Sequence, residues 1–179
     1  MKAHTRRTTK VGDRNQRKRN MKNTLMVVTL CLVLAPIAAA QAEKEMAEPN
    51  IYSPADIVWK DGPSAIPSGA KIARLEGDSA KEGFYTMRLL FPAGYKIPPH
   101  THPQIEHVTV ISGALQIGMG EKFDEGVSQT IPAGGFFAMP AGMKHFAWTK
   151  VETVIQLNGV GPQNINYLNP EDDPRTAKK

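Results

Sequence analysis

The sequence predicts an all-β fold, a sandwich or barrel of short strands. Three observations carry this reading. After residue 42 the apolar residues fall in short runs, several of them alternating with polar residues. Gly, Pro and Asp turns separate the runs at fairly even spacing. No helical period of useful length appears in the same region.

In chain order the runs are 57–59, 71–76, 84–91, 106–111, 115–119, 128–131, 136–139, 145–149, 153–157 and 164–168. Gly77-Asp78 reads as the loop between the second and third, and residues 122–126 as the loop between the fifth and sixth. Pro140, Ala141 and Gly142 mark a tight turn, after which His145 opens a new strand. Successive side chains on a strand point to opposite faces. If Glu106 faces inward, so do Val108 and Val110. If His145 faces inward, so do Ala147 and Thr149, while Phe146 and Trp148 face out and need cover from a second sheet or a partner subunit. Met87, Met119, Met139 and Met143 are expected as core filler or as a soft pocket wall.

The N-terminus has a different character. A basic, polar stretch precedes Met21-Lys22-Asn23, an apolar run from Thr24 to Ala35, and the segment Pro36-Ile37-Ala38-Ala39-Ala40-Gln41-Ala42, which offers A-x-A cleavage sites at Ala38-Ala39-Ala40 and Ala40-Gln41-Ala42. This pattern predicts a secretory signal and a periplasmic or secreted protein, with Met21 as an alternative start. The apolar run is shorter than the roughly 20 residues of a membrane span. The expected organisation is therefore residues 1–42 as N-terminal extension and signal, 43–55 as leader, 56–169 as one domain and 170–179 as a flexible tail. Of the 22 Lys and Arg, nine lie in residues 1–42 with one of the 17 acidic residues, so the remainder carries 13 basic and 16 acidic side chains. The high isoelectric point belongs to the N-terminal segment, and nucleic-acid binding loses its support. The one cysteine, Cys31, lies in the apolar run without the small residues of a lipoprotein signal just before it. After cleavage no membrane anchor is expected, and disulfides and a cysteine nucleophile are excluded.

His100 and His102 are the chemically informative pair. On an extended strand a His-x-His spacing aims two imidazoles at one point. Glu106 and, much later, His145 supply a carboxylate and a third imidazole, donors that suit a first-row divalent cation. His107 neighbours Glu106 and points the other way on a strand, which makes it a structural or surface histidine.

Gly94, His100, His102, Glu106 and Gly113 match, position by position, the first motif of the cupin superfamily, G-x5-H-x-H-x3,4-E-x6-G. Gly134, Pro140, Gly142 and His145 match the second, G-x5-P-x-G-x2-H-x3-N, with Thr149 where that motif has Asn. Roughly residues 51–167 thus resemble a single cupin domain. The resemblance implies a double-stranded β-helix, or jelly-roll, barrel with a metal at its centre. It implies His100, His102, Glu106 and His145 as the ligands, holding Fe(II) or Mn(II) by preference, with Ni(II) or Zn(II) also suited. It further implies a metal-dependent enzyme acting on a small anionic or enolisable substrate, dioxygenase-like chemistry first and decarboxylase, isomerase or lyase chemistry also open to it, with a non-catalytic binding or sensing module as the alternative. Cupins often pair through their sheets, so a homodimer is expected.

Overall fold

The computed structural model describes residues 49–176. Residues 1–48, which include the expected signal and the first part of the expected leader, and residues 177–179 lie outside the described residues. Among the described residues eleven strands form two antiparallel sheets. One sheet holds, in spatial order, β1 (Lys60–Asp61), β2 (Lys71–Glu76), β3 (Gly83–Phe91), β10 (Thr153–Gly161), β5 (Glu106–Ser112) and β8 (Phe136–Met139). The other holds β11 (Asn166–Tyr167), β4 (Lys96–Thr101), β9 (His145–Thr149), β6 (Ala114–Met119) and β7 (Gln129–Pro132). The chain passes repeatedly from one sheet to the other, the winding of a jelly roll, so the expected fold class is the observed one.

β10 shows why these residues make this layer. Ile155 and Leu157 are buried in the core, while Gln156 and Asn158 alternate onto the outer face. There Gln156 Oε1 accepts from Arg88 Nε at 3.1 Å and Asn158 Nδ2 donates to Thr86 Oγ1 at 2.9 Å, which ties β10 to β3 across the polar side. The inner faces meet in one core that includes Leu89, Phe91, Val108, Val110, Leu115 and Ile117. Removing each such side chain from water contributes about 1.5–3 kcal/mol.

Several elements differ from the sequence reading. The first strand is Lys60–Asp61 and not 57–59, and the last is only Asn166–Tyr167. β4 carries Pro98 and Pro99, which lack amide hydrogens. The β4–β9 register shifts between Ile97 and His100, so the prolines sit at an irregularity where the ladder asks for no N–H. Phe146 and Trp148 do face away from the barrel interior, yet both are buried by the chain itself. Phe146 packs on Phe123 with ring centroids 4.9 Å apart, and Trp148 Nε1 donates to Ser128 Oγ at 3.0 Å. The loop from Glu121 to Ser128, held in part by a Lys96–Glu125 ion pair of 2.8 Å, thus covers these two rings within the chain, in addition to any cover from a second sheet or a partner subunit. The tail, expected to fray from Pro170, is anchored as far as Thr176. It carries a 3-10 turn at Pro170–Asp172, and Arg175 pairs with Asp173 and donates to Ile165 O at 2.9 Å. Among the described residues no helix is long and apolar enough to cross a membrane.

Candidate metal centre

The local geometry of the site begins with two turns. Gly94 precedes β4, and its N–H donates to Thr149 O at 2.9 Å. Thr149 is fully buried; its Oγ1 donates to Pro92 O at 2.7 Å and accepts from Tyr95 N at 3.2 Å. The threonine that replaces the motif's Asn therefore clamps the start of β4 to the end of β9. Gly142 forms the second turn with φ +73°, a conformation a Cβ-bearing residue adopts only with strain. Its N–H donates to His102 O at 2.9 Å, which joins the two motif segments directly.

These turns bring the three histidines together. His100 on β4 lies opposite His145 on β9, with ring centroids 4.2 Å apart, and the His102 ring lies 4.9 Å from that of His100 and 5.4 Å from that of His145. All three are buried, and their ligating atoms lie within 4.8 Å of one another. Each Nδ1 is hydrogen-bonded to a backbone carbonyl: His100 to Pro98 at 2.7 Å, His102 to Asn164 at 2.7 Å and His145 to Met143 at 3.0 Å. A carbonyl only accepts, so each Nδ1 carries the hydrogen and each Nε2 presents a lone pair. Glu106 at the start of β5 borders this cluster. Its carboxylate oxygens stand 3.5 Å from His102 Nε2 and 3.8 Å from His145 Nε2.

The electrostatics fit a cation. Burial, helped by the neighbouring imidazoles, depresses His100 to about 3 and His145 to about 4, so both stay neutral near pH 7. Burial pushes the Glu106 carboxyl up, against the opposing pull of His102. Three imidazole nitrogens and a carboxylate thus converge on one point, a donor set that suits a cation. Donors about 2.1 Å from a common ion at a tetrahedral angle lie about 3.4 Å apart, close to the spacing at Glu106.

A cavity of about 300 Å³ opens above the cluster. Met87, Leu89, Val108, Phe137, Ala147 and Leu157 make its wall mostly apolar. Of the four methionines expected as core filler or pocket wall, Met87 lines this cavity, Met139 is buried in the core, and Met119 and Met143 are half exposed. His107 lies on the other side of β5 from Glu106 and stacks against Phe136, with centroids 6.2 Å apart. Sequence reasoning missed two wall residues, Tyr85 and Gln163, whose polar side-chain atoms are buried. Tyr85 sits at an inward position of the alternating run 84–91, so a polar tip on an inner face was the available signal. Gln163 lies outside every run and had none.

Two antiparallel sheets wound around a buried cluster of three histidines define a cupin. Residues 48–163 match the ChrR cupin-like domain, and the chain belongs to that family. Over 107 residues it is 29% identical to the rhicadhesin receptor of Pisum sativum, covering 57% of this chain and 49% of that protein. The chain thus spans about half the length of that relative. Among solved structures, a polyketide cyclase from Streptomyces resistomycificus aligns with a TM-score of 0.59 at 14% identity, covering 71% of this chain and 90% of that one. An acetylacetone dioxygenase from Acinetobacter johnsonii aligns with a TM-score of 0.53 at 19% identity, covering 73% and 84%. At these identities the two structures are similar to this chain in fold.

Proposed function

We propose that the protein is an exported metal-dependent enzyme of dioxygenase-like chemistry, acting on a small anionic or enolisable molecule. His100, His102, His145 and Glu106 would hold one divalent cation, Fe(II) or Mn(II) by preference, with Ni(II) or Zn(II) also compatible with these donors. The observation that carries this reading is the set of three Nε2 lone pairs, each locked by an Nδ1 hydrogen bond, beside a buried carboxylate on the floor of an apolar cavity. Such locking of the non-ligating nitrogen is what a histidine ligand requires. When bound, the cation would supply Lewis acidity for an enolate oxygen and, if iron, redox chemistry toward dioxygen.

The chain's own residues do the rest. Three neutral imidazoles and one carboxylate around a divalent ion leave a net charge near +1, which draws an anionic oxygen to the floor. The apolar wall excludes water and selects for a compact substrate body; its volume lies at the lower end for small-molecule sites. The acetylacetone dioxygenase that shares the fold makes a β-diketone a reasonable first probe. The charged groups that line the cavity outside the donor set, Arg74 and Asp78, belong to β2 and the loop after it. That sparsity of acid–base groups also supports a second reading, a non-catalytic binding or sensing module. Metal content of wild type and of the His100→Ala, His102→Ala double variant, followed by oxygen uptake with diketones and enolisable acids, tests the proposal. Equal metal content in both proteins would overturn the site. Tight ligand binding with no turnover in any metal form would favour the binding module. N-terminal sequencing of protein from its native host tests export, and recovery of an intact Met1 or Met21 terminus from the soluble cytoplasm would refute it.

A further inference from the structure

We propose that Tyr85 and Gln163 form the recognition end of the cavity, so that its ligand carries a hydroxyl or similar neutral donor–acceptor group besides the oxygens directed at the metal centre. This rests on the metal reading above and names the substrate class that the site would select. Among the described residues, Tyr85 Oη and both Gln163 side-chain atoms, Oε1 and Nε2, are the buried polar side-chain atoms without a partner. All belong to residues that line this one cavity. Leaving a buried polar atom unpaired costs about 1–3 kcal/mol, and native proteins keep few such atoms. Their concentration around one cavity points to a ligand that completes them.

Both groups are held in place by their surroundings. The Tyr85 ring lies across Gly159, its neighbour on β10, where an added Cβ would stand 2.8 Å from Oη. The tyrosine is 1% exposed, and burial together with the nearby Glu106 charge pushes its phenol up to about 12, so it remains a neutral donor. The Gln163 main chain is tied on both sides. Its N–H donates to Ser79 O at 2.7 Å, and the next carbonyl, Asn164 O, takes His102 Nδ1 at 2.7 Å. The carboxamide therefore belongs to the same wall that orients a metal-site histidine.

The donor inventory then selects the ligand group. A primary amide offers a donor and an acceptor side by side, and a phenol offers one of each. A carboxylate would satisfy Nε2 and the phenol but set Oε1 against a negative charge. A hydroxyl or an amide gives and accepts, and so satisfies both residues. The ligand so defined combines an anionic, metal-directed group with a neutral hydroxyl on a short apolar body.

A short series of alkyl hydroxamates tests this. Each chelating probe is paired with the analogue whose terminal methyl is a hydroxyl, and both are titrated calorimetrically into the Mn(II)-loaded full chain. At the chain length that reaches the wall, the hydroxyl probe should bind about tenfold more tightly than its methyl partner, because a site built to bond a hydroxyl rejects the analogue lacking it. Tyr85→Phe and Gln163→Met should each remove most of that preference without changing Mn(II) content or the affinity of the methyl probe. In the metal-free state both variants should melt at or above the wild-type temperature, since they delete an unpaired buried group. No preference at any length, a preference unchanged in both variants, or a clear drop in melting temperature would overturn the proposal. Wild-type protein that takes up no cation overturns the metal reading itself, and that is seen before any probe is added.

Discussion

Glu106 is the buried acid beside the three histidines, and a bound cation would change its state. Its carboxyl is held up by burial, and two imidazole nitrogens face it with lone pairs. Without a cation its charge has nothing to neutralise it. Glu106→Gln is therefore expected to leave the chelator-treated protein as stable as wild type or more so, while lowering metal affinity; thermal melts with chelator and metal analysis after dialysis check both. A stability loss of several kcal/mol in the metal-free form would instead give Glu106 a structural role. The histidines make an opposite, pH-dependent contribution. His100 and His145 fall from 6.5 to about 3 and about 4 on folding, so below pH 6.5 the unfolded chain binds more protons. Their contribution is complete above pH 6.5 and is lost as pH falls toward those folded values. The raised Glu106 carboxyl works the other way, but only above its ordinary value of 4.5. The urea midpoint of metal-free protein should therefore drop most steeply below about pH 4.5, and the His100→Gln, His145→Gln double variant should flatten that drop.

At the scale of elements, alternation made most strands legible, because one face of each is buried and the other polar. β10 and β5 are the clearest cases, with Ile155, Leu157, Val108 and Val110 inward. β4 was legible only through its His-x-His pair; Pro98 and Pro99 argue against a strand locally, and their tolerance depends on a register shift against β9. The cover over Phe146 and Trp148 was not legible either, since it comes from the loop after β6 and has no period to read. Thr149 shows how a departure from the motif can be absorbed. Its hydroxyl joins the Pro92–Tyr95 turn to β9, so Thr149→Val should cost about 1–3 kcal/mol in urea unfolding by leaving a buried amide and carbonyl underbonded. Metal content should be unchanged, because the hydroxyl serves the clamp and is not among the site's donors. A cost below about 0.5 kcal/mol would show that the backbone bonds of the same turn suffice.

At the scale of the molecule, the site draws on both sheets. His100 and His145 stand on β4 and β9 of one sheet, His102 follows β4, and Glu106 begins β5 of the other. The candidate donors were readable in the sequence through the His-x-His period of two and the two motif segments, while the β4–β9 pairing is what sets His145 opposite His100. The cavity was not, because its wall combines β3, β5 and β10, neighbours only in space, with Gln163 from an irregular segment. A cation held by His100, His102, His145 and Glu106 would bridge the two sheets, and since the unfolded chain lacks the assembled donors, binding would stabilise the folded state by mass action. At a free concentration one hundred times Kd the gain is about 2.7 kcal/mol, which for a domain of this size raises Tm by roughly ten degrees. Melts of chelator-treated protein titrated with Fe(II) under anaerobic conditions, and with Mn(II), Ni(II) and Zn(II), should show a concentration-dependent rise for at least one ion. The His100→Ala, His102→Ala variant should show none. A wild-type melting temperature indifferent to all four ions would mean that the two sheets close on these donors without a metal.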